Sequence, residues 1–214
     1  MTDSNYTAIM LLIDTSGSMH SICSDAEGGV NSFVADQAKA DGRRTIRIAE
    51  FSDEYKLVHE SRDAKTVPYY RLVPYRSTAL LDAMGRAIIE FGQELAALPE
   101  DQRPGTVIFA VMTDGHENSS VEYNWDQIKA MVTHQEEIYN WQILYLGANQ
   151  DAIAVGRRMG VQASKSMSYA ASSVGTRAVY NSVSDYVVVA AAAAPGVSTS
   201  FTDEQREEAM KDDE

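Results

Sequence analysis

Oxygen-bearing side chains recur at alternate positions in Asp14-Thr15-Ser16-Gly17-Ser18, directly after an apolar run. Asp14 offers a carboxylate, and Ser16 and Ser18 offer hydroxyls. Hard oxygen donors of this kind suit Mg²⁺, Mn²⁺ or Ca²⁺ better than zinc or copper. We expect Gly17 to let the turn tighten, so that donors two residues apart converge. The pattern therefore predicts a divalent-cation site.

The elements that must position these donors alternate between strands and helices. Continuous apolar runs at 6–13 and 107–112 predict strands buried on both faces, and they stop at Asp14 and near Asp114. Further strands are predicted at 45–51, 55–60, 142–146 and 165–169, and helices at 28–40, at about 78–95 with an N-cap at Thr78, and at 125–139, 151–160, 172–193 and after Thr202. This order predicts an α/β fold, doubly wound, with a mostly parallel central sheet flanked by helices. Ligands of such sheets lie at the carboxyl ends of the strands, where both aspartates stand.

Length and composition are those of one globular domain. The 214 residues predict a single domain over 1–214, with a core at about 6–195 and an acidic C-terminal helix or tail at 196–214. The net charge of -13 disfavours nucleic acid and anionic lipid as partners. The C-terminal acidic run is interpreted as a solvated face or tail. Nothing in the sequence indicates an oligomeric state.

Cysteine usage and the apolar segments bear on the cellular setting. Cys23 is the only cysteine, which excludes an internal disulfide and a cysteine-based zinc site. The first apolar run is short and lacks a basic flank, so we expect no signal peptide. The longest apolar stretch, 187–195, is far shorter than the ~20 residues that span a bilayer. We therefore expect a cytoplasmic protein.

The candidate site resembles the metal-ion-dependent adhesion site (MIDAS) of the von Willebrand factor type A (vWA) family. Asp14, Ser16 and Ser18 match its Asp-x-Ser-x-Ser element, Thr78 matches its distant threonine, and Asp114, followed by glycine, matches its distant aspartate. The resemblance covers about residues 6–170 and implies a Rossmann-like fold. The segments at 27–33, 77–83, 113–118 and 146–151 look most like small stand-alone members from bacteria and their phages. A bacterial or phage-infected cytoplasm, or a virion, is the setting that this implies.

The resemblance also implies roles for the five residues. Ser16, Ser18 and Thr78 would supply hydroxyls, and the two aspartates would act directly or through bound water. Mg²⁺ or Mn²⁺ is expected before Ca²⁺, and a vacant coordination position would take an Asp or Glu of a partner protein. One departure is Arg76-Ser77, where many members have Gly-Gly. Arg76 would either repel the cation or guide an acidic ligand.

Three functions fit these observations. The first is a cation-dependent protein-binding module for adhesion or scaffolding, without enzymatic activity. The second is a structural or assembly component, for example of a phage particle, in which the metal is purely structural. The third is a metal-dependent phosphohydrolase, although the sequence has no phosphate-binding loop of the Gly-Lys-Ser/Thr type and no convincing general base.

Some neighbouring residues allow both a functional and a purely structural interpretation. Tyr69, Tyr70 and Tyr75 would form either an exposed aromatic patch beside Thr78 or ordinary loop packing. Asp151 would either join the rim of the site or cap the following helix.

Overall fold

The computed structural model describes residues 2–193 and 197–213. Six strands form one central sheet: β1 (Asp3–Asp14), β2 (Arg43–Phe51), β3 (Tyr55–Asp63), β4 (Pro104–Thr113), β5 (Gln142–Ala148) and β6 (Ser166–Tyr169). Their order across the sheet is β3-β2-β1-β4-β5-β6, and only the edge strand β3 is antiparallel to its neighbour. Strands β2 and β3 thus form an antiparallel hairpin, and the predicted mostly parallel sheet is confirmed.

Helices cover both faces of this sheet. They are α1 (Cys23–Lys39), α2 (Leu80–Ala96), α3 (Trp125–Tyr139), α4 (Ala152–Arg158), α5 (Ser173–Ala192) and α6 (Asp203–Ala209). One apolar core lies between the sheet and α1, α5 and α6, and the other lies between the sheet and α2, α3 and α4. Strand β1 serves both, since Ile9, Leu11 and Ile13 face the first core while Met10 and Leu12 face the second. This confirms the doubly wound α/β fold.

The order of the strands determines where a ligand site can form. From β1 the chain moves outward to β2 and β3, and it then returns to the other side of β1 with β4, β5 and β6. The winding thus reverses between β1 and β4, and a crevice opens there at the carboxyl ends of the strands. Asp14 ends β1, and Asp114 directly follows β4.

The structure differs from two expectations about helix ends. Thr78 is not the N-cap of α2, because the helix starts at Leu80 and Ala79 occupies the cap position without a side-chain bond. Helix α1 starts at Cys23, five residues before the predicted 28, after a short 3-10 helix at Gly17–Ile22. The capping of α6 by Thr202 is confirmed, with Gln205 completing a capping box.

The C-terminal segment is docked rather than free. Its acidic side chains are largely exposed, as predicted, but Asp213 accepts hydrogen bonds from the backbone N–H groups of Ser173 and Val174 at the start of α5. The Ala170 N–H also donates to the Ala209 carbonyl, at 2.8 Å. The predicted boundary between residues 195 and 196 lies outside the described residues, as does Glu214.

Within residues 2–193 and 197–213, no helix combines the length and apolarity that crossing a membrane requires.

Candidate metal centre

Asp14 forms the base of the site. Its carboxylate is fully buried, at 0% exposure, because it ends the strand that both cores enclose. The Ser16 N–H donates to Asp14 Oδ1 at 2.6 Å, and the Thr113 hydroxyl donates to Oδ2 at 2.5 Å. These bonds fix the carboxylate at the crevice between β1 and β4.

The two serines connect Asp14 to the loop after β4. Ser16 Oγ and Ser18 Oγ are 3.1 Å apart, and the Ser18 hydroxyl donates to Asp114 Oδ1 at 2.6 Å. The Asp-x-Ser-x-Ser segment and Asp114 thus meet across the reversal point of the sheet, although 96 residues separate Ser18 from Asp114.

Thr78 belongs to the same cluster, and its hydroxyl lies next to Gly115. A Cβ atom built on Gly115 would lie 2.7 Å from Thr78 Oγ1 and 3.2 Å from both Asp14 Oδ2 and Ser16 Oγ. One point in space is therefore within 3.2 Å of three of the five predicted ligands. Of the remaining two, Ser18 is hydrogen-bonded to Ser16, and Asp114 is hydrogen-bonded to Ser18. The fold brings all five predicted oxygen donors together.

The loop after β4 holds Thr78 in place. Asn118 Oδ1 accepts a hydrogen bond from the Thr78 N–H at 3.0 Å, and the Asn118 N–H donates to the Thr78 carbonyl at 3.1 Å. Both backbone groups of Thr78 are thus satisfied by one distant residue. Its hydroxyl faces the cluster instead of capping α2.

The electrostatics of the site favour a bound cation. Burial raises the pKa of the Asp14 carboxyl to about 6, despite the opposing hydrogen bonds from Thr113 and Ser16. The negative charge of Asp114 raises it further, and burial raises the pKa of Asp114 as well. Within the described residues, neither carboxylate forms an ion pair with Lys, Arg or His. A cation in the cluster would supply the missing positive charge.

The donor set is rich in hydroxyls and poor in carboxylates. Within residues 2–193 and 197–213, no group of three or more His, Cys, Asp or Glu side chains is arranged to hold a metal ion. Coordination here would depend on hydroxyls and water together with two carboxylates. This hard, all-oxygen set fits Mg²⁺ or Mn²⁺.

Arg76 neither opposes the cation directly nor extends freely toward a ligand. Its guanidinium donates to Asp53 Oδ2 at 3.1 Å and to Glu54 Oε1 at 3.2 Å, which offsets its charge. Its backbone φ is 65°, in the left-handed region that glycine adopts most readily. This conformation gives a reason why glycine is common here among the proteins that the site resembles. The Arg76 carbonyl accepts a hydrogen bond from the Gly17 N–H at 2.9 Å.

Other sequence expectations have mixed outcomes. Gly17 has no positive φ, and an added Cβ would meet only the Arg76 carbonyl oxygen at 3.4 Å, so the predicted need for a flexible residue is wrong. Tyr69 and Tyr75 are exposed, but Tyr70 is buried in a core, so a patch of all three tyrosines is wrong. Asp151 caps α4 by accepting from the Ala154 N–H, and this structural interpretation is confirmed.

Two residues next to Asp114 contribute to the site in ways that the sequence analysis missed. Thr113 holds Asp14, and Gly115 leaves the space into which three donors point. The signal was available: a threonine at the end of a buried strand must place its hydroxyl against a partner. Gln150, after β5, also approaches the Gly115 carbonyl, at 3.5 Å.

Comparisons with known proteins identify the fold. No family model and no curated protein matches the sequence. Among solved structures, proximal thread matrix protein 1 from the mussel byssus has a TM-score of 0.62 at 14% identity and covers 87% of this chain and 46% of its own. A von Willebrand factor type A protein from Catenulispora acidiphila has a TM-score of 0.61 at 15% identity and covers 85% and 42%. The chain therefore spans less than half the length of either structure.

A third structure concerns the metal centre. A form of the same mussel protein with a zinc-occupied MIDAS motif superposes with a TM-score of 0.56 at 13% identity, covering 87% of this chain and 46% of that one. The similarities cover 85–87% of this chain. At sequence identities of 13–15% they show the fold alone. The chain has the fold of a von Willebrand factor type A domain.

Proposed function

We propose that this protein is a divalent-cation-dependent protein-binding module for adhesion or scaffolding. Asp14, Ser16, Ser18, Thr78 and Asp114 hold one Mg²⁺ or Mn²⁺, directly or through water. The observation that carries the proposal is the convergence of five oxygen donors, two of them carboxylates without a cationic partner in the described residues. The zinc-occupied MIDAS motif of the mussel protein supports a divalent cation at this place in the fold.

An acidic partner suits a cation whose coordination shell is completed by water. Two carboxylates neutralise a divalent cation only if both are ionised and close to it. The hydroxyls contribute no formal charge, and bound waters complete the coordination shell. A carboxylate from another protein can displace such a water and gain a charge-assisted contact. The ligand is therefore an Asp or Glu side chain, and the module acts by binding rather than by catalysis.

The cation is tested first. Mg²⁺ and Mn²⁺ are titrated by calorimetry into chelator-stripped protein, into Asp14→Asn and into Thr78→Val. We expect about one site in the parent and loss of binding in both variants. Asp151→Asn is the matched control, because it also removes a carboxylate from a strand-end loop while asparagine remains a good helix cap.

The open coordination position is tested with bound Mn²⁺. Water-proton relaxation reports whether exchangeable water remains on the ion, and acetate serves as the carboxylate probe. We expect strong relaxation enhancement that falls as acetate displaces water. An ion without exchangeable water would instead favour a purely structural metal and an assembly role. Sustained hydrolysis of p-nitrophenyl phosphate, abolished by Asp14→Asn, would favour the phosphohydrolase.

A further inference from the structure

A cavity lies at the opposite end of the sheet from the metal centre. It has a volume of about 710 Å³ and lies between α2 and α3, over the start of β4. Small-molecule sites occupy about 300–1,000 Å³ and are mostly apolar. The proposed binding function does not use this cavity, because the metal donors stand at the carboxyl ends of the strands.

Small residues where the two helices face each other create the space. Gly92 and Ala96 of α2 and Ala130 of α3 all line it. A Cβ on Gly92 would come no closer than 3.9 Å to the ring of Trp141, so the space beside this glycine is free. Helices that present larger side chains at these positions would close the gap.

The floor of the cavity is a rigid aromatic surface. Trp141 is 4% exposed, meets Phe91 edge-on at 5.4 Å and stacks on Phe109 at 6.3 Å between ring centroids. At the rim, Ile89 and Tyr139 are 41% and 57% exposed. An apolar ligand would cover this surface.

The charge of the lining is opposite to that of the whole chain. The protein has 31 acidic residues and a net charge of -13, yet among the described residues no acidic side chain lines the cavity. Within the same described lining, Arg103 is the residue with a permanent positive charge. It donates to the carbonyls of Leu98 and Ala96, at 3.0 and 2.7 Å, which fixes the guanidinium at one end of the cavity.

We propose that this cavity binds a small amphipathic organic acid. The apolar body lies on Trp141 between α2 and α3, and the acid group contacts Arg103. An apolar enclosure with one fixed cation matches a long-chain carboxylate or an aromatic sulfonate better than a neutral hydrocarbon.

Binding is tested with two probes of defined chemistry on the full chain. The fluorescent probe 8-anilinonaphthalene-1-sulfonate is titrated, and dodecanoate and dodecanol are then compared as competitors. We expect one site, displacement by dodecanoate, and at least fivefold weaker displacement by dodecanol. Absence of displacement by dodecanoate, or equal potency of the alcohol, overturns the proposal.

The location is tested with matched glycine substitutions. Gly92→Leu fills the cavity and should weaken dodecanoate binding at least tenfold, while leucine favours the helix. Gly28→Leu is the control, since Gly28 is exposed in α1 with nothing within 4 Å of an added Cβ. Unchanged binding in Gly92→Leu, or an equal loss in both variants, contradicts the assignment.

Two further variants test the contact with the acid group and guard against misfolding. Arg103→Gln should reduce the preference for dodecanoate over dodecanol by at least fivefold, as expected for loss of a charged hydrogen bond. Ile89→Glu places a negative charge at the exposed rim and should weaken dodecanoate more than dodecanol. Ile138→Glu, at a residue of α3 that is also exposed but lies outside the cavity, should change neither. An unchanged preference in Arg103→Gln rejects the role of the arginine.

Discussion

In the metal-free protein, the buried carboxylate of Asp14 lowers the free energy of unfolding when it is ionised. Its carboxyl has its pKa raised by burial to about 6, from an ordinary value of 3.8. The folded state therefore binds this proton more tightly than the unfolded chain does. Stability is unaffected by Asp14 below pH 3.8, decreases between pH 3.8 and 6, and is lowered by up to about 3 kcal/mol above that range.

Asp14→Asn should therefore stabilise the metal-free protein at neutral pH. The amide can accept from the Ser16 N–H and donate to the Thr113 hydroxyl, which then donates to the Gly115 carbonyl at 3.2 Å. Urea unfolding in chelator at pH 7.5 should give a gain of about 1–3 kcal/mol that disappears near pH 4. A variant less stable than the parent at pH 7.5 would show that the carboxylate is satisfied without a cation.

Gly115 is the residue whose missing side chain leaves room for the donors. Gly115→Ala would place a Cβ 2.7 Å from Thr78 Oγ1, closer than such atoms approach, so a donor must move. We expect Mg²⁺ affinity measured by calorimetry to fall at least tenfold with little change in the fold. Gly17→Ala is the matched control from the same site, because its Cβ meets only a carbonyl oxygen at 3.4 Å. Equal affinities for the two variants would place the cation elsewhere.

Helix α2 and the loop after β4 cap each other, and this exchange positions Thr78. Glu117 and Ser120 accept hydrogen bonds from the Leu81 N–H at the start of α2, both at 3.0 Å. In return, Asp82 accepts from the backbone N–H groups of residues 121, 122 and 123, at 2.8–2.9 Å. Helix α2, which begins two residues after Thr78, and the loop after β4, which begins with Asp114, are therefore one hydrogen-bonded unit.

Asp82→Ala should loosen this unit. Three backbone N–H groups lose their acceptor, so we expect a loss of about 1–3 kcal/mol and faster amide hydrogen exchange at residues 121–123. Asp126→Ala, at the exposed first turn of α3, is the control and should cost less than about 1 kcal/mol. Unchanged exchange at these three amides would mean that water replaces the carboxylate without loss.

Local sequence signals predicted the helices and strands better than they predicted the contacts between them. The prediction of α3 matches residue for residue because Asn124 and Gln127 form a local capping box. Thr78 appeared to be a cap because the residues that actually cap α2 are 36 or more positions away. The five ligands could be proposed from type and order, but the role of Gly115 depends on side chains from two other segments, at 14–16 and at Thr78. Long-range contacts of this kind leave no pattern in a single sequence.

The molecule as a whole is an acidic α/β domain with the proposed cation site at one end of its sheet. The net charge is -13, and the excess acidic side chains repel one another in the folded state. Any added salt should therefore stabilise the fold somewhat by screening this repulsion. Specific binding of a cation adds to this effect, because only the folded chain assembles the five donors. The two contributions can be separated, since screening does not depend on Asp14.

Thermal unfolding should therefore respond to Mg²⁺ in two distinguishable ways. At a concentration about 100 times the dissociation constant, site binding contributes about 2.7 kcal/mol, which raises Tm by roughly 5–10 °C for a chain of this size. NaCl of equal ionic strength should give a smaller rise, shared by Asp14→Asn. The extra rise with Mg²⁺ should be absent from that variant. If Asp14→Asn gained as much from Mg²⁺ as the parent does, the cation would be acting on the general surface charge, and the proposed centre would lose its thermodynamic support.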